Sequence, residues 1–167
     1  MEHRTADELM AALDEIRQSP AAAGTVELIV RRPAEDEREV LDECALDVEE
    51  GLVGDAWRAR GSSRTPDGSA NPDAQLTLMN ARAAEAITGS RDRWPLAGDQ
   101  LYVDLDLSVD NLPAGTQLSV GDAVVEVTPE PHTGCAKFSA RFGTEALKFV
   151  NKSPGRELRL RGVNARV

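Results

Sequence analysis

Aromatic side chains are scarce: three Phe, two Trp and one Tyr make up 4% of the 167 residues. A core built from this chain must therefore consist mostly of Leu, Val and Ala. Cysteine occurs only twice, at Cys44 and Cys135, too few for a disulfide framework. The opening residues Met1-Glu2-His3-Arg4 lack the apolar stretch of a signal peptide, so both thiols are expected to be reduced. No apolar run approaches the roughly 18 residues that cross a bilayer. These absences lead us to expect one cytoplasmic domain with no membrane partner. Positive charge is also in deficit, with a net charge of −10, which argues against a nucleic-acid partner.

Several chemistries lack their residues. No Cys-x-x-Cys supports thioredoxin-like redox work, and no Gly-x-x-x-x-Gly-Lys loop cradles a phosphate. Zinc usually takes four ligands. His132 and Cys135 supply two, while His3 and Cys44 lie far away in sequence. A cysteine protease needs a thiolate–imidazolium pair and an orienting third group; His132, three residues before Cys135, could act as base or ligand, but its closeness in sequence weakens the protease reading.

What is present has a clear order. Thr5 and Glu8 form a capping box, and Leu9, Leu13 and Ile16, with Met10 beside them, recur at helical spacing until Ser19-Pro20. This predicts an accessory helix in residues 1–23. From Gly24 the period becomes two: Val26, Leu28 and Val30 alternate. Further β-type runs cover 40–48, 75–78, 101–109, 117–120, 123–128, 157–160 and 163–167. Asn80 is placed to cap a helix from Ala81 to Thr88 that Gly89 closes. Ala136 to Phe142 and Thr144 to Val150 read as two more short helices. Residues 60–73, rich in Gly, Ser, Pro and Asn, read as a lid or a disordered loop. Many short strands, few short helices and no βαβ rhythm predict a mainly β domain, barrel-like, over residues 24–167.

Cys135 stands out. It follows the turn Pro131-His132-Thr133-Gly134 and opens a predicted helix carrying Lys137 and Arg141 on one face. A helix N-terminus and nearby cations favour the thiolate. The segment from Pro131 to Val167 holds eight Lys/Arg against Glu145 and Glu157, a balance of +6, while the remaining eleven Lys/Arg and twenty-seven Asp/Glu sum to −16. A basic segment in an acidic chain invites an anionic small molecule, or simply pairs with the acidic part. Cys44 has no such surroundings and reads as a small apolar filler. Asp55 and Asn111 sit in turns, where such residues usually shape the backbone.

Taken together, the chain resembles the MOSC domain, the C-terminal domain of molybdenum-cofactor sulfurases. Gly51-Leu52-Val53-Gly54-Asp55 is similar to the family's Gly-Leu-x-Gly-Asp turn, and Asp110-Asn111-Leu112 to its Glu-Asn-Leu segment, with Asp replacing Glu. Leu118-Ser119-Val120-Gly121-Asp122-Ala123 resembles its Leu-x-x-Gly-Asp-Ala strand entry. Pro131 to Lys137 supplies the cysteine, and Arg161 to Val167 resembles a late Arg-Gly-Val-x-Ala-x-Val strand. The resemblance implies a small stand-alone member: a MOSC-type β-barrel with a few short helices and an added N-terminal helix. It implies that Cys135 is the functional thiol, as persulfide carrier or as thiolate ligand of molybdenum in a pterin cofactor. Asp55, Asn111, His132, Lys137, Arg141 and Arg161 would bind the cofactor, with Arg156 and Arg159 nearby. Larger relatives carry a pyridoxal-phosphate desulfurase domain or an N-terminal β-barrel, and this sequence shows neither. A separate pyridoxal-phosphate-dependent cysteine desulfurase is then the expected sulfur donor.

Overall fold

A computed structural model describes residues 2–167; Met1, part of the 1–23 segment, lies outside them. The N-terminal segment forms two short helices in line, α1 (Ala6–Ala11) and α2 (Leu13–Arg17), broken at Ala12. The capping box is present: Glu8 N–H donates to Thr5 Oγ1 at 3.2 Å and Thr5 N–H to Glu8 Oε1 at 3.3 Å, worth about 1 kcal/mol. Leu9, Leu13 and Ile16 are buried, whereas Met10 is exposed.

Strands and helices then follow as β1 (Thr25–Arg31), β2 (Glu39–Leu41), β3 (Leu46–Asp47), β4 (Gly51–Leu52), α3 (Trp57–Arg60), β5 (Leu76–Asn80), α4 (Ala81–Thr88), β6 (Leu101–Asp104), β7 (Gln117–Val120), β8 (Ala123–Val127), α5 (Ala136–Phe142), α6 (Thr144–Asn151) and β9 (Val163–Arg166). Short 3-10 turns lie at Pro72–Ala74 and Arg91–Ala97. Seven strands form one curled, half-barrel sheet in the order β2-β1-β6-β5-β9-β8-β7, and β3–β4 form a separate pair. All neighbours in the large sheet are antiparallel except β5 and β6. That parallel pair, joined through α4, is a βαβ unit, contrary to the reading that the sequence holds none. The fold is β-rich, and the sheet remains open between its edge strands β2 and β7.

Alternation along the central strands builds two cores, because successive side chains point to opposite faces. Leu76 and Leu78 of β5, with Leu101 and Val103 of β6, fill the concave face beside Val125, Val127 and Val163. Met79 and Tyr102 point the other way, into a cluster with Leu9, Ile16, Ile87, Phe138, Phe142 and Phe149 of the helices. With both faces covered, every residue of β5 is buried. The N-terminal helices thus pack into the helical layer of the domain.

Some expected elements end early. The 101–109 run pairs only to Asp104; Leu107 remains buried, but Val109 is exposed. Asn111 Nδ2 donates to Asp106 O (2.7 Å) and Ala21 O (2.9 Å), folding the chain back. The 40–48 run splits into β2 and β3, and residues 157–160 form a turn instead of a strand. The 60–73 segment closes on itself through Ser62 N–H to Gly68 O (3.2 Å) and is tied to the body by Arg64 and Glu130 (2.7 Å). Among the described residues, no helix is long and apolar enough to cross a membrane.

Candidate functional site

Cys135 occupies the N-cap position of α5 and is exposed. The turn before it is clamped by Asn151 of α6. Gly134 N–H donates to Asn151 Oδ1 at 2.8 Å, and Asn151 Nδ2 donates to Gly134 O at 3.1 Å. A Cβ on Gly134 would approach Leu147 Cδ1 to 2.8 Å, so glycine lets the turn lie against α6. Phe138 and Phe142 anchor the inner face of α5, edge to face with ring centres 5.0 Å apart. This leaves Cys135, Lys137 and Arg141 beside a cleft of about 790 Å³. Burial pushes the Cys135 thiol up, but the backbone N–H groups of Phe138 and Lys137 and the charges of Arg161 and Arg141 outweigh it. The net shift is downward, toward thiolate. Cys44 is half-buried against the concave core, and burial raises its thiol.

Six cations line the cleft: Arg32, Arg38, Arg60, Lys137, Arg141 and Arg161. They are held in three ways. Lys137 and Arg141 meet exposed acids, Glu35 at 3.6 Å and Asp36 at 3.5 Å, contacts worth little in water.

Arg32 and Arg161 are pillars, each seated on a buried carboxylate. Asp55, with a side chain 0% exposed, accepts from Arg32 N (2.8 Å), Nε (3.0 Å) and Nη2 (2.8 Å) and from Trp57 N (3.1 Å). Burial raises its pKa, yet the bonds and charge of Arg32 hold it below the usual carboxylate range. Asp99 is fully buried and bonds Arg161 Nη1 on one oxygen and His132 Nε2 at 2.7 Å on the other. Arg161 Nη2 also donates to Ala97 O (2.8 Å) and Arg32 Nη1 to Gly98 O (2.9 Å). The Ala97-Gly98-Asp99 turn therefore fixes both arginines.

Arg38 and Arg60 have no carboxylate partner among the described residues. Arg38 donates to two carbonyl oxygens, from Nε to Pro95 O at 3.1 Å and from Nη1 to Glu37 O at 2.8 Å. Burial, then Arg141 and Arg32, lowers the Arg38 pKa; burial, then Arg32, lowers that of Arg60. Each guanidinium sits in a positive field that a bound anion would relieve.

The remaining candidates lie elsewhere. Asp55 lies beneath Arg32 with its oxygens saturated, a correction to its reading as a cofactor ligand. Asn111 braces the 106–111 turn and lines an apolar groove instead of the cleft. His132 lines a second cavity with Arg156 and Arg159, beyond Arg161; its polar partner is Asp99, not Cys135. Burial and then Arg161 lower the pKa of its imidazole, against the opposing pull of Asp99. The three other cleft arginines, Arg32, Arg38 and Arg60, come from the acidic part of the chain, and no local motif marks them.

Gly162 explains the Arg-Gly-Val run. Its φ is +130°, and a Cβ there would meet Leu78 O at 2.4 Å and His132 Cδ2 at 2.8 Å. Gly162→Ala should therefore cost about 3 kcal/mol in a denaturant melt and displace the His132 ring. A change below about 1 kcal/mol would contradict this packing.

No protein-family model, curated protein or solved structure matches the chain.

Proposed function

We propose that this is a MOSC-like domain in which Cys135 works as a thiolate on an anionic small molecule or on sulfur delivered to it. The carrying observation is the exposed Cys135 thiol at the N-cap of α5, at the mouth of a cleft with six cations, a setting that lowers its pKa. In the sulfur-carrier form, the Cys135 thiolate attacks the outer sulfur of a donor persulfide. A bond forms between Cys135 Sγ and that sulfur, the donor S–S bond breaks, and the donor leaves as thiolate. The proton on the outer sulfur moves to bulk solvent, leaving a Cys135 persulfide anion that Arg161 and Arg141 stabilise. An acceptor nucleophile then attacks the outer sulfur and bonds to it, the Cys135 S–S bond breaks, and its electron pair returns to Cys135 as thiolate. His132, held on Asp99, takes no direct part.

The same cleft supports a second reading, a molybdenum-cofactor site. A volume of about 790 Å³ is within the roughly 300–1,000 Å³ of organic ligand sites. Cys135 would be the soft thiolate ligand, and Arg38 and Arg60 would hold the phosphate. When bound, the cofactor would supply a redox-active metal. Arg32 and Arg161 would shape the walls, and Phe138 would exclude water from one side.

Incubation with a pyridoxal-phosphate-dependent cysteine desulfurase and cysteine should add one sulfur to the intact mass. Cys135→Ser should remove the gain completely; a gain that persists would end the carrier reading. Molybdenum and pterin in protein from molybdate-fed cells would select the cofactor reading. Alkylation of Cys135 should titrate below the free-thiol value of about 8.5. An ordinary titration would leave a non-catalytic interaction module.

A further inference from the structure

We propose that the cavity behind Arg161 is a separate site for a small, proton-bearing tetrahedral oxyanion of the inorganic phosphate type. This does not depend on the chemistry of Cys135. The cavity holds about 240 Å³ and is lined by His132, Arg156, Arg159 and Arg161. It is smaller than a site for an organic cofactor but ample for one oxyanion with its hydration.

Its charge points the same way. Glu130 is the one acid on the lining, and its carboxylate is turned to Arg64 at 2.7 Å. Arg156 touches Glu157 at 2.9 Å, with both side chains more than half exposed; such rim pairs yield readily to a better partner. Arg159 is half-buried and its guanidinium meets only the carbonyl oxygens of Leu112 and Leu107, with no carboxylate among the described residues. Its backbone is also left-handed, with φ +51°, a conformation uncommon for a residue other than glycine. Arg161, on the wall shared with the Cys135 cleft, is 9% exposed and its Nε is a buried donor without a partner.

His132 adds selectivity. Asp99 is ionised and accepts only, so the bond at 2.7 Å assigns the His132 proton to Nε2. Nδ1 is then a bare acceptor, with no partner among the described residues. Three guanidiniums and one acceptor suit an anion that keeps a hydroxyl. Hydrogen phosphate has one at neutral pH, and sulfate has none.

Calorimetric titration of the full chain with inorganic phosphate should show a saturable site that depends on Arg156 and Arg159. Arg159→Gly, which suits the left-handed backbone, and Arg156→Ala, at an exposed position, should each weaken it by about tenfold or more. Arg38→Gln with Arg60→Gln, on the other side of Arg161, should leave it unchanged. Sulfate should bind at least about tenfold more weakly. Any of three results would overturn the proposal: no saturable binding, phosphate affinity lost only with Arg38 and Arg60, or equal affinity for sulfate.

Discussion

Asp99→Ala should lower the free energy of unfolding by about 3–5 kcal/mol, the largest effect expected of any polar substitution in the site. Arg161 would keep its charge in a nearly closed pocket with Ala97 O as its one protein acceptor, and His132 would lose the partner that orients it. Denaturant melts of wild type and variant measure the loss. The pH profile provides a second check. Burial raises the Asp99 pKa, but Arg161 and His132 outweigh it and bring the value from the ordinary 3.8 to about 2. The contribution is thus complete above about 3.8 and disappears as pH falls through about 2. His132 acts earlier: its folded pKa lies below the ordinary value of about 6.5. Under that pH the unfolded chain takes up a proton that the folded one refuses, and stability declines. Wild type should therefore lose stability in two acid stages, and Asp99→Asn should lack the lower one.

The second large effect is at Asp55. Asp55→Ala removes the acceptor of four hydrogen bonds and strands Arg32, whose side chain is 11% exposed. We expect a loss of about 3 kcal/mol, seen as an earlier midpoint in urea. Were Asp55 a ligand residue facing the cleft, the variant would melt like wild type and fail only in binding. The two outcomes separate a structural carboxylate from a functional one, and the saturated geometry favours the former.

Local elements were legible because their signals are local. The Thr5–Glu8 box, the Asn80 cap with its Gly89 stop, and α5 behind Cys135 each satisfy backbone groups within a few residues. The surroundings of the two thiols were readable for the same reason: Cys44 packs beside apolar side chains and Cys135 opens α5. The walls of the cleft were not. Arg32 and Arg38 flank the β1–β2 turn and Arg60 ends α3, and only the folded sheet brings them to Cys135. The charge balance pointed to the basic C-terminal segment, yet half the cleft's cations come from the acidic part. Arg156 and Arg159 instead face the other cavity. Asn111 shows the limit of a motif: its position matched, while its amide closes a turn. The strand expected at 101–109 failed after Asp104 because hydrophobic alternation cannot register that the chain turns away to be caught by Asn111.

The place of β9 has a consequence for how the molecule is made. Val163–Arg166 lies between β5 and β8 in the sheet, yet it follows both in the chain. During vectorial synthesis the β7–β8 hairpin emerges with nothing to join, and β5 keeps a bare edge next to Leu76 and Leu78. Both are sticky surfaces for a nascent chain. The sheet is completed from its middle, by the last of its own strands to be made. Arg161 arrives in that same stroke, so the two cavities it divides come into being only once the sheet is whole.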